Sequence, residues 1–473
     1  MIKHNIKVFS TLSGKKELIK PIKPKKINLF VCGPTVYDYS HIGHARNYII
    51  FDAFVKYLRS TGLDVFYLQN ITDIDDKIIA RARERRVTPK DLALAFEKEY
   101  LKDMKKLGVD SVSKYARATA HIKEIISQVE RLQKKGFAYT IEGDGIYYNI
   151  DKFKNYGKLS GRTVLQAEDA VTRIDYSKDK KNRGDFCLWK FKQESSEPSW
   201  KAPFGEGRPG WHIEDTAITE KYFGSQYDIH GAARDLIFPH HEAEIAQMEA
   251  LSGKKPMAKY WMHVGFLTVN GQKMSKSLNN FITITDILNR CSTPNLRFLI
   301  VKNLWTSPVD YSESALIEIK SASDKIEEFL RRLKALKDVK IDKKQQGQNQ
   351  RFIEQAKNDF YSELDDDFNT PKALAVLFEF IKTINQILDG NILSKKEAVE
   401  ILKFFEEINK VFGIIDYKKV NQSIPAEIKR LAKDRERFRK NKEWEKSDEA
   451  RKEIEKRGYV LEDTKDGVVI KIA

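Results

Sequence analysis

The sequence predicts an α/β protein: a parallel-sheet domain split by an insert and followed by α-helical domains. Three observations predict this fold class. Residues 29–117 alternate short apolar runs with helical periodicity, as in a βαβ arrangement. Residues 119–202 break that rhythm with hairpin-like runs and a charge cluster, after which strand–helix order returns. From Thr285 onward the pattern is mainly helical. A chain of 473 residues is long enough for several domains.

The first apolar run, residues 27–31, predicts a buried strand, and a Gly-Pro segment follows it. Ser40 is the predicted N-cap of a helix that continues to Leu58. His41 and His44 lie about one turn apart at its start, where unpaired N–H groups and the helix dipole attract phosphate. Imidazoles there can donate hydrogen bonds to developing charge, and Gly43 leaves room for a nucleotide. The alternative is a capped helix with two surface histidines.

A second motif, Lys-Met-Ser-Lys-Ser at 273–277, lies in a segment rich in Gly, Ser and Asn that predicts a loop. Lys273 and Lys276 could contact the pyrophosphate as it leaves, and so stabilise charge only when it develops. Alone, the motif is equally well a solvated basic loop. The two motifs together, in this order and well separated, indicate a site that holds ATP while its α-phosphorus is attacked.

With four further segments, these motifs make the chain resemble cysteinyl-tRNA synthetase, a class I aminoacyl-tRNA synthetase. The segments are Cys-Gly-Pro-Thr at 32–35, Asn-Ile-Thr-Asp-Ile-Asp-Asp at 70–76, Pro-Gly-Trp-His-Ile-Glu at 209–214 and Phe-Pro-His-His-Glu-Ala-Glu-Ile-Ala-Gln at 238–247. The resemblance is dense from about residue 20 to 300 and looser beyond. It implies a Rossmann-like catalytic domain whose two halves flank a connective insert.

The resulting domain prediction has six parts. Residues 1–118 are the first half of the nucleotide-binding domain, 119–202 the connective insert, and 203–295 the second half with the Lys-Met-Ser-Lys-Ser loop. Residues 296–350 are a helical junction and linker, of which 336–350 is polar and rich in Lys and Gln. Residues 351–423 are a helical bundle, and 424–473 a small basic region that the resemblance makes an anticodon-binding domain.

A zinc site is the second implication of the resemblance. Cys32 follows the first strand, where an open parallel sheet places its ligand, and His240 and Glu244 are four apart in a helical run. Thiolate, imidazole and carboxylate all bind zinc. The family holds one zinc with Cys, Cys, His and Glu, but the second cysteine position here is Asp215. Either Asp215 is a ligand or the site has lost its metal, and the three retained ligands favour the first.

Other residues carry over by position. Thr72 and Trp211 would line the amino-acid pocket, although an N-cap Thr and a core Trp are equally good interpretations. Asp235 could accept from the ribose hydroxyls of ATP, or be a helix-start carboxylate, and Gly43 and Lys276 complete the ATP-binding set. The catalytic residues would be His41, His44, Lys273 and Lys276, which stabilise charge, so that no side-chain nucleophile is needed.

The implied function is ATP-dependent activation of L-cysteine, with Mg²⁺ on the ATP, and its transfer to tRNA(Cys). The net charge of +16 agrees with a polyanionic partner. Three cysteines without a disulfide pattern, no apolar signal segment and no membrane-length apolar run predict a cytoplasmic protein without a membrane partner. We expect a monomer. The alternatives are a ligase that joins cysteine to a small amine without RNA, and a non-catalytic RNA-binding paralogue.

Overall fold

The computed structural model describes residues 4–162, 177–274, 280–337, 339, 341–422, 424–464 and 467–472. Two compact units divide the chain. The first comprises Met1–Leu316, Glu354–Phe378 and Lys410–Gly413, and the second comprises Ile317–Ile353, Glu379–Asn409 and Ile414–Ala473. Among the described residues, none of the helices combines the length and apolar character needed to cross a membrane.

Strands and helices alternate in the first unit, and helices predominate in the second. The strands are β1 (Lys7–Ser10), β2 (Lys15–Leu18), β3 (Lys26–Val31), β4 (Asp64–Ile71), β5 (Lys114–Arg117), β6 (Ala138–Ile141), β7 (Gly145–Tyr148), β8 (Phe186–Phe191), β9 (Gly207–Pro209), β10 (Tyr227–Ala233), β11 (Ala258–Val264), β12 (Leu267–Val269), β13 (Gln272–Lys273), β14 (Val309–Tyr311), β15 (Tyr459–Thr464) and β16 (Gly467–Ile472). The helices are α1 (Ile42–Ser60), α2 (Asp76–Arg85), α3 (Pro89–Lys106), α4 (Ile122–Lys134), α5 (Ile213–Phe223), α6 (Glu242–Ser252), α7 (Ile284–Leu288), α8 (Thr293–Val301), α9 (Glu313–Ala335), α10 (Lys343–Asp365), α11 (Thr370–Asp389), α12 (Lys395–Phe412), α13 (Tyr417–Asn421), α14 (Ala426–Lys440) and α15 (Trp444–Lys456).

The central sheet is parallel throughout, with strand order β11-β10-β3-β4-β5. This confirms the predicted fold class of an α/β parallel-sheet domain followed by helical domains. β3 is apolar along most of its length, as expected for a strand covered on both faces. The chain leaves β3 on one side for β4 and returns on the other side as β10. Ligands of open α/β sheets bind where the strand order reverses in this way, beyond the carboxyl ends of the strands.

The predicted first helix is α1, and 14 of its 19 residues are buried. Its N-cap is His41 rather than the predicted Ser40, because the His41 side chain accepts hydrogen bonds from the backbone N–H groups of Gly43 and His44. Ser, Asn and Asp are the usual N-caps. An imidazole nitrogen here takes the same position as their oxygen, which composition alone would not indicate.

The insert forms its own antiparallel sheet with strand order β6-β7-β8-β9, beside α4. Its last strand ends at Pro209, so the sheet extends seven residues past the predicted boundary at residue 202. The insert is joined to the catalytic half by Glu242 of α6, whose buried carboxylate accepts from the backbone N–H groups of Gly157 and Ser160 at 3.1 and 2.6 Å. The insert is therefore joined to the helix that also carries Glu244.

In the second unit, aromatic rings pack between the helices: Phe329 against Phe405 at 5.4 Å and Phe352 against Phe380 at 5.6 Å between ring centroids. Helix α10 begins at Lys343, so the second half of the segment predicted as a linker is helical. The C-terminal end also contains a β15–β16 hairpin that the helical prediction did not include. This hairpin and helices α14 and α15 share a small apolar core of Ile428, Ala432, Ile454, Tyr459 and Leu461.

A buried ion pair joins helices α1 and α8 in the first unit. Arg297 of α8 donates to Asp52 of α1 at 2.8 Å, and also to the backbone carbonyls of Phe412 and Leu107 at 2.5 and 3.0 Å. Asp52 additionally accepts from Lys56. Burial would raise the pKa of Asp52, but Arg297 and Lys56 together hold it below its usual value. The Asp52 carboxylate is therefore ionised because the Arg297 guanidinium and the Lys56 ammonium lie beside it.

Replacing Arg297 with methionine should lower the free energy of unfolding by about 3–5 kcal/mol, because it leaves a buried carboxylate without its partner. The matched control is Arg290→Met, which removes a solvent-exposed pair with Glu313 and should change stability by less than about 1 kcal/mol. Chemical denaturation of the two variants checks this. If both variants lost the same free energy of unfolding, the buried Arg297–Asp52 pair would contribute no more to stability than the exposed pair does.

Candidate active site and metal-binding cluster

A cleft of ≈ 600 Å³ opens beyond the carboxyl ends of β3, β4 and β10. Residues from both halves of the predicted site line it. These are Cys32, His41, Gly43, His44, Thr72, Trp211, Asp215, Asp235 and His240. Glu244 is fully buried and does not line the cleft. The structure thus brings the sequence-predicted site residues on the strands and helices to one place, and their individual roles remain predictions.

His41 and His44 stack with their ring centroids 3.8 Å apart. In each ring Nδ1 faces a backbone N–H: His41 Nδ1 lies 3.1 Å from Gly43 N, and His44 Nδ1 lies 3.3 Å from His41 N. Because a backbone N–H can only donate, both Nδ1 atoms are acceptors, and each ring carries its proton on Nε2. Burial lowers the pKa of His41 to about 4. Burial, and then the neighbouring His41, lowers the pKa of His44 well below its usual value. Both are therefore neutral Nε2–H donors at neutral pH.

The second ATP motif is described in part. Gln272–Lys273 forms β13, which pairs with β12, and Met274 lines the cleft beside Gly43. The backbone of Lys273 thus immediately precedes a residue that lines the cleft. Lys276 lies outside the described residues, and its predicted role stays a prediction.

The four predicted zinc ligands are brought together. Cys32, Asp215, His240 and Glu244 place one donor atom each within 4.8 Å of one another, and all are buried. Cys32 follows β3, Asp215 lies in the first turn of α5, His240 precedes α6, and Glu244 lies in the first turn of that helix. His240 Nε2 lies 3.0 Å from Asp215 Oδ2 and 3.1 Å from Glu244 Oε1. The residue that departs from the family pattern, Asp215, thus lies at the position a ligand needs.

Three acidic groups, those of Cys32, Asp215 and Glu244, are buried together here, and the ion-pair partners of the carboxylates among the described residues are histidines rather than lysines or arginines. Asp215 Oδ1 and both Glu244 oxygens receive no well-directed hydrogen bond from the described part of the chain. Burial, then the charges of Asp215 and Glu214, raise the pKa of Glu244. Burial, then Glu244 and Asp215, raise the pKa of the Cys32 thiol. Unpartnered buried oxygens beside a thiol and an imidazole form a donor set that a divalent cation fits.

A second possible ligand set lies deeper. It shares Cys32 and Glu244 with the first set but uses His230 and His241. His230 Nε2 and His241 Nε2 lie 3.5 and 3.3 Å from Cys32 Sγ. Neither histidine lines the cleft, whereas Cys32, Asp215 and His240 do. An ion that also contacts a substrate in the cleft would therefore bind to the set that contains Asp215.

The groups around His240 orient its ring. His212 Nδ1 lies 2.8 Å from His240 Nδ1, and burial, then His240, keep the pKa of His212 low. One of these two nitrogens donates and the other accepts, and a metal on His240 Nε2 requires His240 Nδ1 to be the donor. This leaves His240 Nε2 for the carboxylates or a metal, the usual arrangement for a ligating histidine. Trp211 stacks on the other side of the ring at 4.3 Å, and Thr72 donates to the buried Glu214.

Sequence comparison now identifies the relatives. Residues 18–321 match the profile of the class I (C) tRNA synthetase catalytic domain, 359–416 the DALR domain and 421–469 the cysteinyl-tRNA ligase anticodon binding domain. The cysteine–tRNA ligase of Thermoplasma volcanium is 44% identical over 98% of this chain and 99% of its own length. That of Thermococcus gammatolerans is 43% identical with the same coverage. The chain belongs to the cysteine–tRNA ligase family.

Solved structures agree on the fold of this cysteine–tRNA ligase family member. A Mycobacterium tuberculosis methionyl-tRNA synthetase in complex with methionyl-adenylate matches with a TM-score of 0.63, at 13% identity, over 82% of this chain and 92% of that chain. A LeuRS–tRNA–LeuAMS ternary complex from Agrobacterium radiobacter gives a TM-score of 0.63 at 11% identity, over 84% and 85% of the two chains. The predicted resemblance to cysteinyl-tRNA synthetase is confirmed. The match to an anticodon-binding profile disfavours the alternative of a ligase without RNA.

Several buried residues around the metal-binding cluster of this family member are not predicted by the sequence analysis. Glu214 belongs to one of the family motifs, but the motif does not predict its contact with Thr72 and Asn70. The sequence analysis assigns no role to His230, and it includes His241 only within the family segment at 238–247. The doublet His240-His241 was the available signal, because adjacent helix-start residues point in different directions and can face two sites.

The tautomer assignment predicts opposite outcomes for two amides at position 44. His44→Gln places an N–H donor where Nε2 was, whereas His44→Asn places its amide at the Nδ1 position and leaves no donor at Nε2. His44→Gln should therefore retain much more of the cysteine-dependent ATP–pyrophosphate exchange rate. Loss of one such donor costs about 100–1,000-fold in kcat. An asparagine variant that is as active as the glutamine variant would contradict the assignment.

Proposed function

We propose that this chain activates L-cysteine with Mg-ATP to cysteinyl-adenylate and transfers it to tRNA(Cys). One observation carries the proposal. The two stacked histidines of the ATP motif and the four-residue donor cluster line or underlie opposite parts of one cleft. ATP chemistry and thiol recognition can therefore act on one small substrate. The activity for which its relatives are named, cysteine–tRNA ligation, agrees with it.

In the first step the carboxylate of cysteine attacks the α-phosphorus, a new O–P bond forms, and pyrophosphate leaves. His41 and His44 donate their Nε2–H bonds to phosphate oxygens that gain charge. Lys273 and Lys276 contact the departing pyrophosphate, and Asp235, exposed at the cleft, accepts from the ribose hydroxyls. Thr72 and Trp211 bound the amino-acid pocket. In the second step a terminal ribose hydroxyl of the tRNA attacks the cysteinyl carbonyl, and AMP leaves.

Cys32, Asp215, His240 and Glu244 would hold one zinc ion at the base of the cleft. When bound, the ion supplies a soft Lewis acid that favours a thiolate over a hydroxyl. Selection by shape alone would be weak, since a pocket discriminates poorly between near-isosteric side chains, by about 100-fold or less. The exchange of thiolate for carboxylate at residue 215 keeps the formal charge of the site unchanged.

The C-terminal region supports tRNA as the partner. Residues 421–469 match the anticodon-binding profile, and Trp444 there is 58% exposed. Arg437 and Lys446 lie 5.3 and 5.8 Å from the ring centre of Phe438. An exposed Trp ring suits base stacking, and cationic side chains around the half-buried Phe438 suit phosphate contact. All three cysteines are free, in keeping with a reducing compartment, and we propose a cytoplasmic monomer.

Amino-acid-dependent ATP–pyrophosphate exchange, measured for all twenty amino acids, tests the activation step, and charging of tRNA(Cys) transcript tests the transfer. We expect exchange with cysteine alone and cysteine-dependent charging. Cysteine-dependent exchange without charging would indicate the small-amine ligase. Binding of tRNA without exchange would indicate the non-catalytic paralogue.

The role of Asp215 predicts a metal-binding series. Asp215→Ala should lower zinc affinity by more than the roughly 10–100-fold caused by loss of an outer-shell partner. Asp215→Cys should bind zinc and resist chelators better than the parent chain. Asp235→Ala is the matched control, because it removes an acid from the same cleft without touching the cluster. Bound zinc per chain and competition with a chromogenic chelator are the measurements. Unchanged zinc in Asp215→Ala would exclude this residue as a ligand.

A further inference from the structure

Arg46 is a buried cation two residues after His44. It is 1% exposed, and burial lowers its pKa to about 10. Within the described residues it has no acidic partner, and its Nε atom receives no hydrogen-bond acceptor. Instead it donates to backbone carbonyls: Nη1 to Phe266 at 2.6 Å, and Nη2 to Trp305 at 3.3 Å and to Ser307. A fully buried arginine without a carboxylate is costly for a fold, which calls for a reason.

The carbonyls that accept hydrogen bonds from Arg46 lie at the base of the β12–β13 hairpin, which ends at Lys273. Phe266 immediately precedes β12, and Trp305 and Ser307 precede β14, which pairs with β12 in parallel. The two segments are in close backbone contact, because a Cβ on Gly265 would lie 2.4 Å from Ser307 O. β12 in turn pairs with β13, which ends at Lys273. One side chain of α1 therefore fixes the backbone at the start of β12 and before β14. These two strands support β13, which leads into the Lys-Met-Ser-Lys-Ser motif, here called the lysine motif.

The chain that returns from the lysine motif is attached to the same turn of α1. Ile42 N donates to Ile282 O at 3.1 Å, and Ile284 N donates to Ser40 O at 3.0 Å. Next to these bonds the Phe281 ring packs edge-on against His41, with 5.3 Å between ring centroids. The described residues on both sides of the motif are thus attached to the turn that presents His41 and His44.

We propose that Arg46 and Phe281 are positioning residues for adenylate formation. They hold the segments on either side of the lysine motif at a fixed place relative to His41 and His44, so that both motifs act on one triphosphate. This inference rests on the proposed function. The planar guanidinium suits the task, because its diverging N–H groups reach two backbone segments at once, which a lysine ammonium does not do. An apolar residue would serve stability alone at least as well.

The test is Arg46→Lys in the full chain, assayed by cysteine-dependent ATP–pyrophosphate exchange and by equilibrium binding of cysteine. A displacement of about 1 Å in catalytic groups lowers a rate by about 100-fold. We expect a fall in kcat of that order and unchanged cysteine affinity, because Arg46 touches no residue of the metal cluster. The matched control is Arg297→Lys, which alters another buried arginine that donates to backbone carbonyls. It should lower Tm and leave kcat per folded molecule unchanged.

Phe281→Leu is the second variant and is decisive if Arg46→Lys does not fold. It removes the ring contact with His41 without altering a buried charge. We therefore expect an unchanged Tm, a lower kcat and an unchanged affinity for cysteine. Full kcat in Phe281→Leu, or in a folded Arg46→Lys, would overturn the proposal. Absence of cysteine-dependent exchange in the parent chain would instead overturn the proposed function, so the two failures are distinguishable.

Discussion

The site depends on several acidic groups that are buried together with histidines, rather than lysines or arginines, as their described ion-pair partners. Cys32, Asp215 and Glu244 converge with His240 at the base of the cleft, and Glu214 lies next to Asp215 in sequence. Burial raises the pKa of Glu244, Glu214 and the Cys32 thiol. Without a cation, protonation would have to remove the charge. A bound divalent cation would use all the donor atoms and would favour their deprotonated forms. A metal ion therefore explains why these groups lie together.

The parallel sheet creates this convergence. Its switch point places Cys32 at the end of β3, and the crossover segments bring the starts of α5 and α6 over the same edge. Imidazole rings then form successive layers: His240 faces the cleft, His212 orients it, and His241 lies behind with His263 2.8 Å away. The part of the cleft next to the four-residue cluster is thereby held by buried contacts. The part next to His41 and His44 is held by α1 and the segments attached to it.

The alternation of strand and helix patterns predicts the parallel sheet and the helix at residue 42, because both depend on local pattern. The four-residue cluster is predicted by the resemblance to the family. Arg46 could not be predicted, since a buried arginine and a solvated one look alike in a helical pattern. The hairpin at 459–472 was missed because its core is shared with α14 and α15, a contact that periodicity does not record. His41 replaced Ser40 as the N-cap because geometry rather than propensity decides which side chain faces the free N–H groups.

The central claim is that Asp215 completes a zinc site with a single protein sulfur. Zinc K-edge X-ray absorption of the purified full chain tests it most directly. We expect one zinc per chain, with one sulfur from Cys32 and nitrogen or oxygen donors from His240, Asp215 and Glu244. Added cysteine should raise the sulfur count to two. Two sulfurs before cysteine is added, or selective activation of cysteine by a chain without zinc, would contradict it.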